Sequence, residues 1–263
     1  MDILTEKKIQ YFTKFDEDLV ETANQNYQLP TNFQWIRNDF EFKFLSNTIS
    51  VLAKGFGYGF NKLILKQSFA NKAILEPYKH KGYFLYANHT QPVGDVFLPM
   101  LAGTARRYYV VCAQSNLGMP IIGPLLPYGG ALPIPSDLHH LPRLIKAVQY
   151  HIERNDFVTI YPEAHVWPYY TGIRPFSKAA FHFPMKVNAP SFVMTNTYQR
   201  CKWSKRPKMV TYLDGPFYPQ RNLPAKQAQE QLMHQVKTTM QKRAQLNDVE
   251  YIRYVQRKDG KNA

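Results

Sequence analysis

The run Tyr83–Ala87 (YFLYA) is apolar or aromatic at every position, with no alternation toward water. Such a run suits a buried strand. It leads into Asn88 and His89, then a turn bearing Pro92 and Gly94, then Asp95 at the head of an apolar segment that suits a helix. Tyr108–Ala113 (YYVVCA), Ala131–Ile134 and residues 157–161 (FVTIY), 192–197 and 209–213 read as further strands. Between them, Leu141, Leu144, Ile145, Val148 and Ile152 mark one helix face stopped at Asn155, and Leu232, Val236 and Met240 mark another after Pro224. Residues 118–130 are punctuated by prolines, and Ser177 is placed to cap a helix toward residue 188 that Pro184 should kink.

Strands alternating with helices predict an α/β fold with a mixed, largely parallel sheet flanked by helices. Ile9, Phe12, Phe15 and Leu19 stand at helical spacing before Pro30, so the chain is expected to begin with a helical portion. The expected organisation is an N-terminal, membrane-associating helical segment over residues 1–75 and an α/β domain over 76–263, joined as one unit. In such sheets sites gather at the C-terminal ends of strands. His89 and Glu163 both follow strands, which predicts that they share a rim.

The formal net charge of +14 points to an anionic partner: a phospholipid surface, a phosphorylated small molecule or nucleic acid. From residue 42 to 75 there is no acid, while five lysines interleave with aromatic and aliphatic residues. That segment suits either a headgroup boundary or a helix packed on the domain with a wet lysine face, and glycines at 55, 57 and 59 weaken any single long helix. Lys202, Trp203, Lys205 and Arg206, with Arg200 and Lys208, form a second basic cluster fit for an anionic membrane surface or an acidic carrier protein. Its bland counterpart is a solvated loop. Cys112 and Cys201 are too few for a disulfide framework, the start MDILTEKKIQ is no signal peptide, and no apolar run of about 20 residues occurs. A cytoplasmic location, peripheral on the inner membrane face, is the expectation.

A histidine on a turn with a carboxylate a few residues on can act as a general base with its orienter. His89 would take the proton of an attacking hydroxyl, and Asp95 would fix the tautomer. No Ser or Cys nucleophile elbow is present, which favours direct attack by the acceptor over an acyl-enzyme. Neither metal-ligand spacing nor a Gly-rich phosphate loop occurs.

Tyr86-Ala87-Asn88-His89 with Asp95, then residues 158–174 (VTIYPEAHVWPYYTGIR), then 188–193 (NAPSFV) resemble, in order and separation, three signature blocks of the PlsC-like glycerolipid acyltransferases. The likeness spans roughly residues 80 to 215. It implies a transferase moving a fatty acyl group from an acyl thioester, of coenzyme A or acyl carrier protein, to a hydroxyl of a lysophospholipid or related lipid. His89 and Asp95 would be catalytic, Asn88 would set the His89 loop beside the substrate, and Glu163 would contact the acceptor. No cofactor or metal is implied beyond the thioester co-substrate.

The chain also departs from the pattern. Five residues rather than four separate His89 from Asp95, and Gly94 is expected to absorb the extra one in a tighter turn. Ala164 and His165 stand where Gly and Thr are usual. No Arg follows them at once, and Arg174 or Lys178 are the candidates for that missing cation; at the second block, Pro135 and Ser136 stand where the family has the Arg held to bind the acceptor's phosphate, which leaves a different lipid or sugar hydroxyl open as acceptor. Trp167, Tyr169, Tyr170 and Phe176 are expected either to line an acyl channel or to lie in the core. The competing class is a catalytically silent basic module on the same fold, binding membrane or, less favoured, nucleic acid.

Overall fold

The computed structural model describes residues 8–20, 24–187, 189–202 and 204–257. Its strands are β1 (Lys8–Phe12), β2 (Ser68–Ala70), β3 (Tyr83–Ala87), β4 (Tyr108–Ala113), β5 (Ala131–Ile134), β6 (Phe157–Ile160), β7 (Ser191–Gln199), β8 (Lys208–Phe217) and β9 (Ile252–Gln256). Its helices are α1 (Phe40–Leu63), α2 (Gly94–Ala102), α3 (Leu141–Glu153), α4 (Phe183–Lys186) and α5 (Ala225–Ala244). Seven strands form one sheet in the order β2-β8-β7-β3-β6-β4-β5, with the YFLYA run at its centre. All neighbouring pairs are parallel except β7 with β8. The fold is therefore the mixed, largely parallel α/β sheet that the run pattern predicts.

Alternate side chains of β3 serve two cores. Phe84 and Tyr86 pack under α3 and α5 with Val158 and Ile160, while Tyr83, Leu85 and Ala87 pack under α2 with Phe157 and Phe192. Every β3 residue is buried, as a central strand between two helical layers requires. The faces of α3 and α5 marked by sequence periodicity are the buried ones.

Three expectations are corrected. The helix expected around Ile9, Phe12, Phe15 and Leu19 is instead strand β1 followed by irregular chain, and β1 pairs in parallel with β9 near the other end of the sequence. The glycines at 55, 57 and 59 do not break the following segment. α1 is one helix of 24 residues, N-capped by Asp39, whose carboxylate accepts from Phe42 N–H at 2.8 Å. Gly57 lets α1 lie close on α2, since a Cβ there would come within 2.6 Å of Phe97. The helix expected after Ser177 is a 3-10 turn over Lys178–Phe181 and then the single turn α4, and the Ser177 side chain makes no cap bond.

Candidate active site

β3 delivers its last residues to the C-terminal edge of the sheet, where Asn88 begins the turn. Asn88 is buried and clamped to β7: its Nδ2 donates to the Asn196 carbonyl at 3.0 Å and its Oδ1 accepts from the Asn196 N–H at 2.8 Å. The clamp sets the His89 loop, and burial closes off the substrate contact expected of Asn88.

His89 Nδ1 lies 2.8 Å from Asp95 Oδ2. The same oxygen accepts from the N–H groups of Thr90 and Gln91, both at 2.8 Å, and Asp95 Oδ1 accepts from Asn196 Nδ2 at 3.2 Å. An oxygen already receiving two backbone donors is an acceptor toward the imidazole as well, so Nδ1 carries the proton and Nε2 keeps its lone pair. Asp95 sits in the first turn of α2, where the helix dipole favours a carboxylate. Gly94 plays another part than the expected tight turn. It is helical, and a Cβ there would meet Leu65 Cδ1 at 2.8 Å, so its smallness serves packing. The extra residue is absorbed just before it, in a turn at Pro92 and Val93 closed by Asp95 N–H to the Gln91 carbonyl at 3.1 Å.

Tyr161, immediately after β6, braces the dyad. Its ring stacks on the His89 imidazole with centroids 4.2 Å apart, and its hydroxyl donates to the Asp95 carbonyl at 2.6 Å. Burial pushes this hydroxyl well above its ordinary pKa, so it stays a donor. Tyr198 supports the other side, accepting from Gln91 Nε2 at 2.9 Å and donating to Thr90 Oγ1 at 2.8 Å.

Glu163 shares the rim with His89, as its place just after a strand predicts, but it faces inward. Its side chain is fully buried and accepts from His89 N–H at 3.3 Å, Arg174 N–H at 3.1 Å and Arg174 Nη2 at 3.1 Å. Burial raises the Glu163 carboxyl, opposed by the Arg174 guanidinium and the two N–H donors. Burial likewise lowers Arg174, opposed by Glu163. Arg174 also donates to the carbonyls of His165 and Phe15 and lies over the Trp167 ring, 4.8 Å from its centroid. Neither residue of this sunken pair is free to meet an acceptor. Lys178 is exposed and paired with Glu230 of α5 at 3.0 Å, away from the dyad's contacts. Both candidates for the cation missing after the third block are thus engaged elsewhere. Trp167 is core rather than channel wall, packed among Phe12, Phe15, Tyr170 and Tyr254.

Lys202, Lys205 and Arg206 are exposed in the β7–β8 connection. Trp203 lies outside the described residues. β7 runs parallel to β3 and past its end, so this connection stands on the His89 side of the sheet. Among the described residues, no His, Cys, Asp and Glu gather in a group able to hold a metal ion.

No protein-family model and no curated protein matches the chain. Among solved structures it is similar to the 1-acyl-sn-glycerophosphate (LPA) acyltransferase PlsC from Thermotoga maritima. The TM-score is 0.51 at 14% identity, over 79% of this chain and 84% of that one. The likeness is one of fold. Within that fold this chain sets a His–Asp pair supported by Tyr161, inside the 158–174 stretch though not singled out there, and by Asn196 and Tyr198, which lie outside the three stretches that resemble the family's blocks. One signal pointed to Asn196: the stretch Thr195-Asn196-Thr197 is polar inside a strand, and a buried polar run has to be hydrogen-bonded to something specific.

Proposed function

We propose that this protein transfers a fatty acyl group from an acyl thioester, of coenzyme A or acyl carrier protein, to a hydroxyl of a lysophospholipid or related lipid. The observation that carries the reading is the His89–Asp95 contact of 2.8 Å, with Nε2 unclaimed by any described residue, on a half-buried imidazole at the sheet's C-terminal edge. Nε2 takes the acceptor's hydroxyl proton as its oxygen bonds to the thioester carbonyl carbon. The tetrahedral intermediate then expels the thiolate, which takes that proton back from the imidazolium, giving ester and free thiol. Asp95 stabilises the transient positive charge. Glu163 acts by position, holding the His89 backbone N–H while Arg174 neutralises it.

The acceptor we favour needs no phosphate. At the end of β5, Ser136 is held by Gln28 and Gln114, and neither Arg174 nor Lys178 offers a free guanidinium or ammonium to the site. The test is thiol release from long-chain acyl-coenzyme A and acyl carrier protein, using lysophospholipid, glycerol phosphate, monoacylglycerol and glycolipid acceptors. Acceptor-dependent release by the wild type and its loss in His89→Ala are expected, with the unphosphorylated acceptors active. A His89→Ala variant that keeps its rate would remove the base, and activity confined to phosphorylated acceptors would refute the acceptor assignment.

A further inference from the structure

Glu163 and Trp167 both bond the backbone of His89, and His165 lies between them in the chain. Ala164, at φ +65°, reverses the chain there, and the His165 N–H closes the turn on the Glu163 carbonyl at 2.9 Å. The side chains on either flank of Ala164 therefore part: that of Glu163 is sunk, and that of His165 stays 36% exposed. His165 Nδ1 faces Asp18 Oδ2 at 3.5 Å, and Asp18 Oδ1 accepts from the Val20 N–H at 3.2 Å. Asp18 comes from the other end of the sequence, brought there because Trp167 Nε1 and Arg174 hold the carbonyls of Glu17 and Phe15. The rim thus carries a second His–Asp pair, next to the first.

The proposed reaction moves one proton, and His89 takes it, so the second pair has no proton left to move. As a fastener it is weak. A half-exposed pair at 3.5 Å adds little to the two bonds that already hold residues 15 and 17. Its free capacity is for hydrogen bonding. The carboxylate favours the proton on Nδ1 and leaves Nε2 as an acceptor that no described residue engages. Nε2 and the Asp18 carboxylate both accept, so they suit hydroxyl donors and offer nothing to a phosphate. Charge points the same way: Asp16, Glu17 and Asp18 are the only run of three acids in a chain of net charge +14. The cation of this segment, Arg174, is committed to Glu163.

We propose that His165 and Asp18 form a subsite for an uncharged polyol headgroup, the sugar or glycerol of a monoacyl lipid, and turn the site against phosphorylated acceptors. The inference rests on the acyl-transfer reading and specifies its acceptor. One headgroup hydroxyl is held at His165 while another is presented to His89 Nε2. A buried or partly buried acceptor built for a hydroxyl discriminates by what it leaves unpaired when the wrong group arrives.

The test is donor-free binding of monoacyl galactosylglycerol and of lysophosphatidic acid, carried in the same nonionic micelles, to the full chain. The variants are His165→Ala, Asp18→Asn and Asp18→Lys, each checked for melting, and steady-state rates with long-chain acyl-coenzyme A follow. The wild type should bind the glycolipid more tightly. His165→Ala and Asp18→Asn should each weaken it about tenfold and raise its KM alike, with donor KM and kcat within a factor of two. Asp18→Lys should reverse the order of the two lipids. A wild type that binds neither lipid, or binds lysophosphatidic acid more tightly, overturns the proposal. So does glycolipid affinity unchanged in both variants, or a loss shared equally by the donor KM with a lowered melting point, which would make the pair a fastener of the N-terminal chain. Binding is read without donor, so a wild type that holds the glycolipid but transfers nothing sinks the reaction and not the subsite. An active wild type whose variants match it does the reverse.

Discussion

Asp95 collects four hydrogen-bond donors on two oxygens, and every one of them comes from the turn it must hold or from β7 behind it. Asp95→Asn keeps the volume but turns an amide N–H toward backbone N–H groups or toward Nδ1, so the turn loosens and the tautomer is no longer fixed. We expect kcat to fall about 10²- to 10⁴-fold with little change in KM, the pattern of a lost base orienter. Tyr161→Phe is milder: the ring stack on His89 remains and one hydrogen bond to the Asp95 carbonyl goes. A loss of about 1 kcal/mol in stability and a severalfold drop in kcat at unchanged KM should result. An unchanged kcat would make that bond purely structural. Ala164 adopts φ +65°, in the left-handed region that glycine enters without penalty. Ala164→Gly should raise the melting point by a few degrees at most, because relief of about 1–2 kcal/mol of strain is partly offset by glycine's greater entropy in the unfolded chain.

The element that turns this sheet edge into a site is the segment from Glu163 to Arg174. Trp167 and Tyr169 donate their N–H groups to the carbonyls of His89 and Thr90, so the segment and the His89 turn are tied together. The chain's two ends hold it from outside: Arg174 reaches the Phe15 carbonyl, Trp167 Nε1 reaches the Glu17 carbonyl, and the Tyr254 hydroxyl reaches the Pro168 carbonyl. β1 and β9 therefore act as a clasp, with Phe12 and Tyr254 packed on Trp167. This is why the helical spacing at Ile9, Phe12, Phe15 and Leu19 misled: a strand whose partner lies at the far end of the sequence leaves no local trace, and those aromatics are spaced to meet Trp167. α1 was missed for another reason: its Asp39 cap went unread and its glycines were weighed as breakers, whereas Gly57 is what lets α1 approach α2. The sunken Glu163–Arg174 pair gives a sharp prediction. Glu163→Gln or Arg174→Met alone should destabilise by about 3–5 kcal/mol, since each leaves a buried charge unpaired, whereas the double variant should recover much of the loss. Chemical denaturation of the three variants decides it; additive losses would mean that the two side chains do not act as a pair.

At the scale of the whole molecule, β3 was legible because it is buried on both faces and so appears as an unbroken apolar run; β4 and the edge strand β5, less fully buried, also have the boundaries their sequences predict. Their order in space was not legible, since nothing in residues 157–161 announces that β6 inserts between β3 and β4, yet that insertion is what brings Glu163 beside His89. Charge is the other whole-molecule property, and the β7–β8 connection gives it an address. That connection continues the strand whose Tyr198 braces the His89 turn, so Lys202, Lys205 and Arg206 stand on the rim that the proposed acyl transfer would use. Acyl-coenzyme A and acyl carrier protein are both anionic, so a field of this sign should act on the donor's encounter rather than on chemistry at Nε2. Lys205→Glu/Arg206→Glu should raise the donor's KM roughly tenfold and leave kcat within a factor of two, and added salt should narrow the gap between variant and wild type as screening grows. Steady-state kinetics at two ionic strengths reads this directly. Equal donor KM values at low salt would return the connection to the role of a solvated loop and leave α1 as the basic surface that matters.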